Sequence, residues 1–217
     1  MALNQGNQGQ TGKVLGNSLT ASFGEYQETL VTELHARYYQ NVYRGNVFNA
    51  TNGSAIATAG GFTTGTQTPF TLYNPAGSGK NLVILEIIST LALPAAPTGA
   101  TYQLWLGACL TPTQAAPGLS TATALTIHNA LLGFGTNALA LAYSAVATPS
   151  VPVPVRNLGA VQMLTNTSAG TYGIVNTMWF KDETAGALIV APGVLVTLGT
   201  STACSAIATM TWAELPV

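Results

Sequence analysis

Lys80 follows Gly77-Ser78-Gly79, a Gly-rich turn of the kind whose backbone amides can cradle a phosphate. A phosphate-binding loop needs Gly six residues before that Lys and Ser or Thr after it, and this chain has Asn74 and Asn81 there. The stretch also runs into an apolar, strand-like segment, so no helix N-terminus would face the anion. A β-turn at a hairpin tip is the better reading. Gly133-Phe134-Gly135-Thr136-Asn137-Ala138 loosely matches a dinucleotide fingerprint. No carboxylate lies between Glu86 and Asp182, so the acid that would hold the ribose is missing.

General acid–base catalysis needs titratable groups brought together. The supply is two His, one Asp and six Glu, of which Glu25, Glu28 and Glu33 belong to a helix-forming stretch. His35 lies in that stretch as a solvated or interface side chain, and His128 follows Thr126-Ile127 in a loop-like segment as a structural residue. Asp182-Glu183 after Lys181 read as a solvated hairpin tip rather than a cation site, and Glu86 with Glu214 would be an arbitrary glycosidase pair. Cys109 and Cys204 stand in apolar runs and read as buried thiols, with a disulfide, which cytosolic redox conditions disfavour, as the alternative. A metal site would need more ligands at closer spacing. Asn49-Ala50-Thr51, Asn52-Gly53-Ser54 and Asn166-Thr167-Ser168 match glycosylation sequons by Thr-rich chance. Trp105, Trp179 and Trp212 could stack sugar rings, but core packing is the commoner fate of aromatics in apolar strands. No catalytic, metal or cofactor-binding residue is assigned, and no cofactor is expected.

Charge is as scarce as chemistry. Only 6% of the chain is Asp, Glu, Lys or Arg, and from Gly45 onward just Lys80, Glu86, Arg156, Lys181, Asp182, Glu183 and Glu214 carry formal charge. An ordinary soluble domain is about one-quarter charged. Charge keeps a free surface wet and repels neighbours, so a body this poor in it is expected to have its surface covered by partner subunits. A net charge of −1 gives no electrostatic footprint for nucleic acid, and there is no basic amphipathic segment for a membrane. The apolar runs 81–93 and 138–155 are too short to span a bilayer or are broken by Pro149, Pro152 and Pro154. Met1 to Thr11 are polar and show no secretory pattern, so a soluble chain made in a cytoplasm is expected.

Three zones would position these residues. Residues 1–21 form a polar, glycine-rich, flexible arm. Residues 22–44 form one amphipathic α-helix. Ser22-Phe23-Gly24-Glu25 has capping-box spacing, and Tyr26, Leu30, Leu34, Tyr38 and Val42 recur every four residues as a stripe. Gly45 stops the helix. Residues 45–217 are mainly β: strands are expected at 46–50, 54–58, 70–73, 81–91, 101–110, 139–146, 162–164, 172–180, 187–190, 194–198 and 203–213, separated by Gly/Pro/Asn/Ser breaks. Many short strands with little helix imply an antiparallel, jelly-roll-like β-sandwich. Phe23, Tyr26, Leu30, Leu34, Tyr38 and Tyr39 are the expected interface, with packing inside the subunit as the alternative.

Several segments resemble structural proteins of tailed-bacteriophage virions. They are the run from Thr68 through Tyr73-Asn74-Pro75-Ala76-Gly77-Ser78-Gly79-Lys80 to Ile84, the earlier Arg37-Tyr38-Tyr39 and Arg44-Gly45-Asn46-Val47-Phe48, and His128-Asn129-Ala130-Leu131-Leu132-Gly133. Ile189-Val190-Ala191-Pro192-Gly193 and Met210-Thr211-Trp212-Ala213-Glu214-Leu215-Pro216 close the set, so the likeness runs from about residue 35 to the C-terminus. The resemblance implies a non-enzymatic capsid decoration or cement subunit. Such a subunit would be made in the host bacterial cytoplasm and placed on the capsid surface of the virion. It would form a homotrimer, with the major capsid protein as partner and no role for nucleic acid or membrane. A tail, baseplate or head-fibre adhesin binding a host glycan is the alternative.

Overall fold

From Val47 onward, β-branched and aromatic residues alternate with small polar ones, and the chain forms strands wherever they do. The structure, a computed structural model, describes residues 37–58, 60–62, 67–92, 101–110, 122–147, 150–162 and 177–217. Two compact units divide the chain, Met1–Gln40 and Asn41–Val217. Most of the helix expected over 22–44 lies outside the described residues. Arg37 and Tyr38 form a turn, and α1 (Tyr39–Tyr43) follows.

Gly45 ends α1 as expected, and the mechanism is visible. Its φ of 71° lies in the left-handed region, its N–H donates to Val42 O at 2.8 Å, and the N–H of Asn46 donates to Asn41 O at 3.0 Å. Those two bonds make a Schellman motif, which needs a residue that accepts positive φ.

Fifteen strands are found among the described residues. They are β1 (Val47–Thr51), β2 (Ile56–Thr58), β3 (Gln67–Thr68), β4 (Thr71–Tyr73), β5 (Lys80–Ala92), β6 (Thr101–Cys109), β7 (Thr123–Ala124), β8 (Ile127–Asn129), β9 (Leu141–Ser144), β10 (Val146–Ala147), β11 (Val153–Gln162), β12 (Thr177–Asp182), β13 (Leu188–Val190), β14 (Leu195–Thr200) and β15 (Cys204–Pro216). The first sheet runs β12-β5-β15-β1-β8, with β13 also on β5 and β2 also on β15. The second runs β11-β6-β14-β4-β9-β7, and β3 with β10 makes a separate ribbon. Every pairing between these strands is antiparallel. The protein is therefore mainly β, two antiparallel sheets in a sandwich-like arrangement. Alternate residues of both sheets meet in one core: Phe48, Leu82, Ile84, Met210 and Trp212 from the first, Leu72, Leu106, Val196 and Leu198 from the second.

Several sequence expectations are corrected. Residues 153–161 were not expected to be strand, yet β11 occupies them, because it is an edge strand with register shifts between Pro154 and Arg156 and between Asn157 and Gly159. Proline is tolerated where no ladder hydrogen bond is required. His128 lies in β8 rather than a loop, with its side chain exposed. The strand expected over 139–146 is split at Ala145 (φ 55°), where the chain leaves β9 and β10 pairs with β3. Residues 183–187 are no hairpin tip. β12 and β13 both pair with β5, and the segment between them keeps contact through Ala185 N to Leu85 O at 3.0 Å and Gly186 N to Ile84 O at 2.9 Å. It is a wide bulge in one edge strand.

The stretch Asn74–Lys80 is likewise a crossing from β4 in the second sheet to β5 in the first, not a hairpin. Asn74 is fully buried and fastens the crossing. Its Nδ2 donates to Lys80 O at 2.7 Å and Val190 O at 2.9 Å, while Ser78 Oγ donates to its Oδ1 at 2.7 Å. The residue that breaks the phosphate-loop pattern is therefore the one that shapes this connection.

Candidate functional site

The two sheets treat their outer faces differently, and that difference locates the site. In the second sheet, every residue of β4 and β14 is buried, on the outer face as well as toward the core. Phe62 lies over Gly107 and Gly199, where a Cβ would collide with its ring, and its centroid is 5.8 Å from that of Trp105. Tyr73, Cys109 and Leu195 form a further cluster on that side. Burial pushes the Tyr143 phenol up, with Tyr73 adding to the effect. Buried threonines there pair with each other: Thr68 and Thr71 hydroxyls at 2.7 Å, Thr71 and Thr197 at 3.0 Å, and Thr197 to Phe70 O at 3.1 Å. A Thr-rich sequence can thus bury hydroxyls without leaving them unpaired.

The outer face of the first sheet is open. Register places Trp179 beside Thr90 and Thr90 beside Ile207, and two residues along, Lys181 beside Ile88, Ile88 beside Thr209 and Thr209 beside Thr51. The next row holds Glu86, Thr211, Asn49 and His128. Trp179 is 63% exposed and Ile189, farther along, 62%. Core packing, the commoner fate weighed for the three tryptophans, holds for Trp212, which is fully buried; Trp105 is half-buried and Trp179 projects outward. Strand alternation alone could have placed Trp179 and Lys181 on one face, but not which face.

Charges converge on the same edge. Lys181 Nζ lies 3.0 Å from Glu86 Oε1 and 2.6 Å from Glu183 Oε1, and these two carboxylates, Glu183 first, hold its ammonium above the ordinary value. Asp182 points the other way and takes a bidentate grip from Arg156, Nε to Oδ2 at 2.5 Å and Nη2 to Oδ1 at 3.0 Å. That pair ties β12 of the first sheet to β11 of the second and, with Phe180 against Gly159, fastens this side of the sandwich. Glu214, 4% exposed, faces inward. Its carboxylate accepts from Leu139 N at 3.0 Å, Ala140 N at 2.9 Å and Trp212 Nε1 at 3.4 Å. Glu86 and Glu214 therefore stand on opposite faces of one sheet and form no acid–base pair. Six of the seven formal charges from Gly45 onward are spent on partners inside the subunit, which leaves Lys80 as the body's one cation without an ion pair among the described residues.

Of the interface residues expected from sequence, Phe23, Tyr26, Leu30 and Leu34 lie outside the described residues. Tyr38 is half-buried, with the Arg37 guanidinium 5.7 Å above its ring, and Tyr39 is 40% exposed. Both cysteines are free buried thiols, and burial pushes Cys109 up. Among the described residues no group of three His, Cys, Asp or Glu side chains could hold a metal ion, and no helix is long and apolar enough to cross a membrane. No protein-family model matches the chain, and no curated protein or solved structure matches it either.

Proposed function

We propose that this chain is a structural protein of tailed-bacteriophage virions: a capsid decoration or cement subunit that trimerises on a jelly-roll-like sandwich and bridges capsomers. One observation carries the reading: charge is scarce on the body, and six of its seven formal charges already have ion-pair or hydrogen-bond partners within the subunit, so little of its outer surface carries a charge free to interact elsewhere. Such a surface suits large, permanent contacts better than life as a solitary soluble molecule. The segments resembling virion proteins support it, and one of them, the crossing at Asn74–Lys80, is accounted for by structure rather than chemistry. A shell strained by packaged DNA needs clamps across capsomer junctions, and a three-fold trimer repeats one contact set at each junction. The role is not catalytic. The decisive experiment incubates the purified protein with expanded empty capsids. Saturable binding and a raised rupture temperature are expected, and no binding at micromolar concentration overturns the reading.

The exposed Trp179 favours a second reading, a tail, baseplate or head-fibre adhesin that stacks a host glycan on the indole. Binding to host polysaccharide that disappears in Trp179→Ala would support it.

A further inference from the structure

We infer that the outer face of the first sheet, centred on Trp179 and Ile207, is an interface with a second copy of this chain; the inference rests on the assembly reading above and names its contact surface. The central strands β4 and β14 of the second sheet are buried on both faces, with Phe62 of the same chain lying over Gly107 and Gly199. The central strands β5 and β15 of the first sheet lack such a cover on their outer face, where Ile207 is 39% exposed and the flanking Trp179 and Ile189 are 63% and 62% exposed.

Charge permits a copy of the same molecule over most of the face. Its formal charges, Lys181, Glu86 and Glu183, are gathered in one cluster of net charge −1 toward the β12 edge, and the rows of Trp179, Thr90 and Ile207 carry none.

Area fits as well. The seven strands present roughly 700 Å² of sheet at ~3.3 Å per residue and ~4.8 Å between strands. Val47, Leu85 and Ala213 at one end are already buried within the subunit, which lowers the open part. What remains is on the order of 600 Å², above the roughly 500 Å² per partner that a specific interface needs and below the roughly 800 Å² of a standard one. Two rows of Thr hydroxyls between the apolar side chains supply polar contacts without net charge.

The test compares the full-length protein with Trp179→Lys and Ile207→Lys by sedimentation equilibrium from 1 to 100 µM, with circular dichroism to establish folding. Both side chains are exposed in the subunit, so each variant is expected to fold. The wild type is expected to be oligomeric, each variant to raise the dissociation constant at least 100-fold, and acrylamide quenching of the exposed tryptophan to be suppressed only in the wild-type oligomer. Folded variants that assemble like the wild type, or a wild-type oligomer in which acrylamide still quenches Trp179, overturn the interface while leaving capsid binding intact as support for the assembly reading. A wild type that is monomeric at 100 µM overturns the interface, and one that also ignores capsids overturns both readings. Loss of polysaccharide binding in Trp179→Lys with assembly unchanged overturns the interface in favour of a glycan site.

Discussion

Asn52 carries both halves of its side-chain amide into the core. Nδ2 donates to Pro69 O at 3.0 Å and Ala206 O at 3.1 Å, Oδ1 accepts from Ala208 N at 2.5 Å, and the residue is 1% exposed. In the sequence the same residue opens a chance sequon; its burial was not legible there, because two of its partners stand about 150 positions downstream. Asn52→Ala would leave two carbonyls and one N–H buried without partners, each worth about 1–3 kcal/mol. Urea unfolding should show a loss of at least about 3 kcal/mol, and a loss under about 1 kcal/mol would mean that water replaces the amide. Cys109 gives a pH-dependent outcome at the same scale. Burial raises its thiol, and the bonds from Ser150 only partly offset that. The thiolate is the reactive form, so the folded protein should leave Cys109 unmodified by an aromatic disulfide reagent at pH 8, and unfolding should release it. The sign of the linkage follows: as pH rises past the ordinary thiol value the unfolded chain ionises first, so this group's contribution to stability is lost toward alkaline pH.

Arg156 and Asp182 join the edges of two sheets, so their contribution belongs to the strands rather than to either residue. The pair is bidentate, with Arg156 38% and Asp182 15% exposed at the side chain. Arg156→Lys keeps the charge but loses the planar fork. It should cost about 1 kcal/mol and speed amide exchange in β11 and β12 while β14 and β15 stay protected; uniform exchange across all four strands would show that the pair does not fasten this edge. The sequence reveals such elements unevenly. β5, β6, β14 and β15 were legible because central strands need unbroken runs of Val, Ile, Leu and Thr. β11 was hidden by Pro152 and Pro154, which forbid a central strand but not a bulged edge. The bulge at 183–187 looked like a hairpin because Lys181, Asp182 and Glu183 put three charges between two apolar runs; Ala185 and Gly186 do turn the chain there, with φ of 52° and 89°, but inside an edge that continues along β5. The candidate face was half legible: alternation puts Trp179 and Lys181 together, but only the register with β5 shows that they face out.

At the scale of the whole molecule, the pairing of charges inside the subunit dictates how copies should associate. Exposed ion pairs weaken as salt shortens the screening length from about 10 Å at 0.1 M to about 3 Å at 1 M, whereas apolar burial is strengthened by excluded salts such as sulfate. With net charge −1 and six of the body's seven charges held within the subunit, little electrostatic free energy is left to act between copies. Self-association measured by sedimentation should therefore change less than about threefold between 50 mM and 500 mM sodium chloride and should tighten in sodium sulfate. Deleting residues 1–20 should leave this behaviour and the melting temperature unchanged while weakening attachment to capsids, since the sandwich core is drawn from Phe48 onward. A dissociation constant that climbs tenfold or more with chloride would mean that charges outside the sandwich, from Lys13 to Arg44, hold the copies together. The sheet face would then be the wrong surface, and the N-terminal segment would become the place to look for the contact.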